Sequence, residues 1–229
     1  MADTYIVTSS DLASVANAIR TKTGDSAQLT FPTGFATAIG NIQKAPATYI
    51  EETYDDSDNL VSSIVHGCTK IRQSVFRYSS YLTQVTIPNN VTEIAPQAFD
   101  HCDQLATVNL PDTITIIDSN AFQACLAFNT EKLPNGLTEL GLMVFSGCRS
   151  LTLANMPAGV KTIGSQAFYN CIGLTTLTFQ GTPTTIAADA FEGCTNLTTI
   201  NVPWAEGTVA NAPPWGATNA TINYNYTGA

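Results

Sequence analysis

Six phenylalanines, Phe76, Phe99, Phe122, Phe145, Phe168 and Phe191, stand 23 residues apart with no insertion between them. Each sits in a recurring phrase. It is fullest at Ala98-Phe99-Asp100-His101-Cys102-Asp103-Gln104-Leu105 and returns as Ala121-Phe122…Cys125, Val144-Phe145…Cys148, Ala167-Phe168…Cys171 and Ala190-Phe191…Cys194…Leu197. A fixed period of about 20 to 29 residues is the mark of a solenoid with short coils. No single coil of that size can bury its own apolar face, so the coils must stack and share one core.

The other apolar positions keep the same phase. Six places after each Phe comes Leu82, Leu105, Phe128, Leu151, Leu174 or Leu197. Eleven places after comes Ile87, Leu110, Leu133, Met156, Phe179 or Val202, and five before comes Ile71, Ile94, Ile117, Leu140, Ile163 or Ile186. A short strand such as Gln84-Val85-Thr86-Ile87 then alternates inward and outward residues. Pro88 ends it, because proline has no N–H for a ladder, and proline recurs at 111, 134, 157 and 203. Val91-Thr92-Glu93-Ile94 makes a second extended side, and Ala98-Phe99 opens the turn back. Phe99, Phe122, Phe145, Phe168 and Phe191 are expected to stack in one buried column. At one strand spacing per coil, six coils make a stack on the order of 30 Å long.

Eight places after each Phe stands Gln84, Thr107, Thr130, Leu153, Thr176 or Thr199, and ten after stands Thr86, Asn109, Lys132, Asn155, Thr178 or Asn201. This predicts a flat, outward Thr/Asn ladder without the Trp, Tyr and Arg that dominate binding hot spots. Two readings stand. The residues simply suit a solvated sheet, or Gln84, Thr86, Thr107, Asn109, Lys132, Asn155, Thr178 and Asn201 make a weak contact surface for carbohydrate or protein.

Five of the six cysteines, Cys102, Cys125, Cys148, Cys171 and Cys194, share one phase, and Cys68 stands in another. Free Cys behaves as a small apolar residue, so a reduced, buried ladder is expected. Disulfides between neighbouring coils are the first alternative; the spacing suits them, but the Cβ directions of stacked identical positions do not. A metal site is the second, and no C-x-x-C supports it.

The repeat phrase, with Asn89-Asn90-Val91-Thr92-Glu93-Ile94…Ala98-Phe99…Cys102…Leu105 as its best copy, resembles the BspA-type leucine-rich repeat. That resemblance implies a repeat solenoid, mainly β with short turns, and adhesion to proteins or cells as the kind of function.

Four segments follow. Residues 1–45 form a small helical attachment or capping segment. Leu12, Val15, Ala16 and Ile19 lie at helical spacing behind the capping run Thr8-Ser9-Ser10-Asp11, and Phe35, Ile39 and Ile42 mark a second short helix. Residues 46–65 read as a β-hairpin cap, with strands Tyr49–Tyr54 and Leu60–Val65 around an acidic turn. Five carboxylates lie between 51 and 58, but the ordered ligands of a calcium loop are absent, so a solvated turn is expected. Residues 66–203 carry the six repeats. Residues 204–229 form a β C-terminal cap in which Trp204, Trp215, Tyr224 and Tyr226 cluster, either as cap packing or as a platform for a sugar or partner.

The net charge of −9 and only nine scattered Lys and Arg give no basic face for nucleic acid and no polybasic anchor. No apolar run reaches the roughly 18 residues of a membrane span, and the start Met1-Ala2-Asp3-Thr4 lacks a secretory signal. Catalysis is not expected. His66 and His101 are the two histidines, Cys102 belongs to the buried ladder, and no nucleophile elbow, phosphate loop or H-E-x-x-H occurs. No cofactor or metal is implied.

Two stretches carry a further resemblance. Asp11-Leu12…Ala16-Asn17-Ala18-Ile19-Arg20-Thr21-Lys22-Thr23-Gly24…Leu29-Thr30-Phe31-Pro32-Thr33-Gly34-Phe35 and the ending Val202-Pro203-Trp204…Pro213-Pro214-Trp215-Gly216 are similar to segments of tail-associated proteins of phages and prophages from Gram-positive gut bacteria. This implies a non-enzymatic virion component in which residues 1–45 bind other tail proteins and the solenoid meets a host protein or cell-surface glycan. The alternative is a bacterial cell-surface adhesin of BspA type. The oligomeric state is open.

Overall fold

The computed structural model describes residues 49–211 and 213–228. The two helices expected before residue 45 lie outside them. The described residues hold fourteen strands, numbered in chain order. The first two are β1 (Tyr49–Tyr54) and β2 (Leu60–His66). Next come β3 (Lys70–Ile71), β4 (Gln84–Thr86), β5 (Glu93–Ile94), β6 (Thr107–Val108), β7 (Ile116–Ile117) and β8 (Glu139–Leu140). The last six are β9 (Asn155–Met156), β10 (Thr162–Ile163), β11 (Thr176–Phe179), β12 (Thr185–Ile186), β13 (Thr199–Asn201) and β14 (Thr221–Asn223).

One side of the solenoid is an unbroken six-stranded parallel sheet, β3-β5-β7-β8-β10-β12. Lys70 pairs with Glu93, Ile71 with Ile94, and the later coils repeat that register. The column Ile71, Ile94, Ile117, Leu140, Ile163 and Ile186 is therefore buried throughout. The outward Thr92, Thr115 and Thr138 each donate a hydroxyl to the carbonyl of the threonine one coil earlier, at 3.2, 3.1 and 3.0 Å.

The turn edge is a third line of coil-to-coil bonds. The amides of Phe76, Phe99, Phe122, Phe145 and Phe168 donate to the carbonyls of Ala98, Ala121, Val144, Ala167 and Ala190 at 2.8–2.9 Å. Two left-handed residues bracket each of these turns. Gln97 (φ 59°) and His101 (φ 58°) bracket the turn of Phe99, and Met143 (φ 51°) and Gly147 (φ 78°) that of Phe145. Inside the turns the phenyl rings stack in the predicted column, with centroids 5.3, 4.9, 5.4, 5.5 and 5.2 Å apart from Phe76 to Phe191.

The strand face departs from the predicted flat ladder. It is two sheets, β1-β2-β4-β6 and β9-β11-β13-β14. The coil between them, around residues 129–133, contributes only an isolated bridge, Lys132 to Asn155. The cause lies nine places after the Phe. Val85, Val108, Leu177 and Ile200 fill that inward position and are buried. Glu131 and Ala154 occupy it in the two middle coils and are exposed. A carboxylate cannot enter the apolar core without a partner, so the chain leaves the ladder there. Phe128 takes up the space, stacked 4.7 Å from Phe122 and 5.9 Å from Phe145. Leu153, expected to face out with the threonines, turns inward instead and is buried.

Both ends of the described solenoid are built from non-repeat sequence. At the start, β2 pairs in parallel with β4 and antiparallel with β1. The hairpin's second strand is thus also the first strand of the stack. At the finish, residues after Trp204 make a degenerate seventh coil. Ala210 bridges Thr185, Trp215 supplies the carbonyl that accepts from Phe191 at 2.9 Å, and β14 pairs in parallel with β13. Trp204 packs edge-on against Phe179 at 5.2 Å and Trp215 tilts toward the same ring at 6.4 Å, closing the core.

Candidate functional site

The strand-face residues predicted as a contact surface do not form one surface. Gln84, Thr86 and Thr107 lie on the first sheet with Asn109 just past the end of β6, and Asn155, Thr178 and Asn201 lie on the second. Lys132 stands in the gap between them. Their amides are largely used inside the stack. Asn109 accepts from the Ile87 amide at 2.6 Å and donates to the Ile87 carbonyl at 2.8 Å. Asn155 accepts from Gln180 at 3.0 Å, and Gln84 donates to Ser62 at 3.2 Å. Asn201 donates to the Thr178 hydroxyl at 3.1 Å, accepts from Asn223 at 2.8 Å and is itself buried. An amide already paired along the ladder gains little by exchanging that partner for a ligand.

Trp204 and Trp215 are also corrections to the expected contact surface. Both rings are buried, at 6% and 1% exposure, as cap packing requires. Neither presents a face to solvent.

The five in-phase cysteines have a structural task. Each thiol donates to the carbonyl of the phenylalanine one coil earlier, from Cys102 to Phe76 at 2.9 Å through Cys194 to Phe168 at 3.0 Å. All six cysteines are free thiols. Burial pushes Cys102 and Cys194 up to about 12, and Cys125, Cys148 and Cys171 well above the usual thiol value. Thiols held protonated in this way are poor nucleophiles at neutral pH.

In the acidic hairpin, the Asp55 carboxylate accepts from the Ser57 and Asn59 amides, both at 2.9 Å, and from the Asn59 side chain. Those bonds, the Asn59 side chain's first, hold its pKa below the usual carboxylate value. Its lone pairs close the turn.

The turn edge of the first two coils carries a cluster that the repeat does not explain. Asp100 is buried, with its side chain 2% exposed. Its Oδ2 accepts from Arg77 Nε at 2.8 Å and its Oδ1 lies 2.6 Å from His101 Nδ1. The Arg77 guanidinium lies 4.6 Å from the Tyr78 ring centroid and also donates to the Tyr78 hydroxyl at 3.0 Å. Tyr78 and His101 are tilted ring neighbours at 5.1 Å. The sequence held a signal for this that a search for single motifs passes over. Arg77 and Asp100 are 23 apart, so the register places them in adjacent coils.

Six copies of the BspA type leucine rich repeat region match residues 63–204. The chain belongs to the BspA-type leucine-rich repeat family. Solved structures agree on the fold of this BspA-type chain. A leucine-rich repeat protein from Bacteroides ovatus is 24% identical, with a TM-score of 0.55, over 68% of this chain and 46% of its own. The Treponema pallidum protein TpLRR is 27% identical, with a TM-score of 0.56, over 69% of this chain and 84% of its own. The pneumococcal vaccine antigen PcpA is 16% identical, with a TM-score of 0.57, over 76% of this chain and 43% of its own. The BspA-type chain thus spans less than half the length of two of these. No curated protein matches it.

Proposed function

We propose that this BspA-type chain is a non-enzymatic interaction scaffold that meets a protein or cell-surface glycan outside the bacterial cell. One observation carries the reading. The in-phase side chains are spent on locking the stack, through six Phe rings, five Cys thiols and three ladder threonines, and the coils differ in what they show solvent. A rigid frame with variable outer residues is how solenoids present extended binding surfaces.

Within that reading, the setting we favour is a phage or prophage tail, with residues 1–45 attached to other tail proteins. The support is the sequence resemblance of residues 11–35 and 202–216 to tail-associated proteins. A bacterial surface adhesin is the second reading, favoured by the family's place among bacterial surface proteins.

Whole-cell binding tests the scaffold. The purified chain should bind intact Gram-positive gut bacteria or host cells, and protease or periodate treatment of the cells should abolish that binding and show which ligand class is involved. A chain begun at Ala47 should bind the same cells but no longer co-sediment with tail particles. Failure to bind any cell type would remove the proposal; binding to cells without any affinity for tail particles would favour the adhesin.

A further inference from the structure

The cluster at the turn edge of the first two coils is costly to keep. Among the described residues Asp100 is the one buried carboxylate, and a buried charge is held only at the expense of its hydration. The left-handed conformation of Tyr78 (φ 63°) and His101 (φ 58°) belongs to the repeat, since Ala124, Gly147, Asn170 and Gly193 share it in the equivalent places, but the ion pair beside them does not. The solenoid does not need these groups. One place after the Phe, the later coils carry Gln123, Ser146, Tyr169 and Glu192, and two places after, Ala124, Gly147, Asn170 and Gly193.

The exposed parts of the cluster have a definite chemistry. Tyr78 is 59% exposed and Tyr81, three residues on, is 49% exposed. The Arg77 and His101 side chains are 35% and 44% exposed, and the buried Asp100 fixes both. Arg77 spends Nε on Asp100 and Nη2 on Tyr78, so the other edge of the guanidinium is left for an acceptor. Lys70, Arg72 and Arg77 lie in this one coil, with Lys70 paired to Glu93 and Arg77 to Asp100. Tyr and Arg are the side chains that dominate protein hot spots, and the repeat strands β4, β6, β9, β11 and β13 have neither.

We propose that Arg77, Tyr78, Tyr81 and His101 form a docking site for an acidic peptide segment of a partner protein. A partner carboxylate pairs with the guanidinium that Asp100 holds in place, and the neighbouring chain packs on the two tyrosines. The free donor edge of the fixed guanidinium and the two exposed tyrosines favour a peptide carboxylate over a neutral sugar, for which a guanidinium pre-set by a buried carboxylate has no evident use. This proposal rests on the scaffold reading and deepens it.

The test uses the full chain on an array of synthetic peptides, each present in an Asp/Glu form and in a matched Asn/Gln form, beside an array of uronic-acid and sialylated oligosaccharides. The wild type should prefer the acidic peptides. Arg77→Gln and Tyr81→Ala should each weaken that binding by about tenfold or more, while Thr176→Ala on the strand face leaves it unchanged. Tyr81 lies outside the Asp100 hydrogen bonds, so its variant keeps the test sound should Arg77→Gln lower the melting temperature. No preference for the acidic peptides, a preference that survives both substitutions, or retention on the oligosaccharides alone would overturn the proposal. If the site fails in any of these ways while whole-cell binding persists, the scaffold reading stands without it.

Discussion

Phe145 sits at the centre of the ring column. It is stacked against Phe122, Phe128 and Phe168, and it is fully buried. Its carbonyl accepts the Cys171 thiol at 3.1 Å. Truncating such a ring removes its transfer free energy and leaves a cavity that rigid neighbours on both sides cannot fill. Phe145→Ala should therefore cost roughly 3–5 kcal/mol in chemical denaturation. A loss near zero would mean that the column contributes nothing to stability. At the surface, the Asp112 carboxylate accepts from the Asn135 amide one coil on at 2.9 Å and from its side chain at 3.1 Å. The amide bond, then the side-chain bond, holds Asp112 below its ordinary value of 3.8. A carboxylate whose folded pKa is depressed adds stability that is present above the ordinary value and lost as pH falls through the lowered one. Carboxyl NMR titration should find Asp112 and Asp55 ionising at lower pH than an aspartate in a short unstructured peptide. Midpoints equal to that of the peptide would show that these bonds do not form in solution.

At the scale of the element, the break in the strand face divides what was legible in the sequence from what was not. The buried Ile column was readable because every coil keeps the same apolar residue five places before the Phe. The gap was not, because attention to the Thr and Asn positions passes over Glu131 and Ala154 between them, where the inward residue belongs. Leu153 was misplaced for the same reason: alternation was carried back to residues that precede β9 and lie outside any strand. The cysteine phase gave burial, but the thiol's donation to the preceding phenylalanine carbonyl depends on how the coils are offset, and spacing does not carry that. The Asp100 cluster was hidden because it breaks the repeat and belongs to two coils. The account of the gap makes a prediction. Phe128→Leu vacates the space beside Phe122 and Phe145, and Glu131→Val supplies an inward residue to refill it. The double variant should be more stable than the sum of the two single changes, with a coupling of about 0.5–3 kcal/mol in a denaturation cycle. Simple additivity would show that Phe128 and Glu131 are unrelated and that the gap has another cause.

At the scale of the whole molecule, the parallel sheet, the turn-edge bonds and the Phe–Cys core depend on one another, because a slip of one residue in any coil would turn its apolar positions outward. The 23-residue period made that frame readable from the chain alone, whereas the ends, which depart from the period, were readable only as caps. The register claim is tested most directly by counting reactive thiols with an aromatic disulfide reagent. Without reductant, the denatured chain should release six equivalents. In the folded protein the five ladder cysteines should stay silent, since they are buried and held protonated, and only the half-buried Cys68 is placed to react slowly. Two or fewer equivalents in denaturant, or five reacting quickly in the folded state, would contradict a continuous buried ladder and the solenoid register that depends on it.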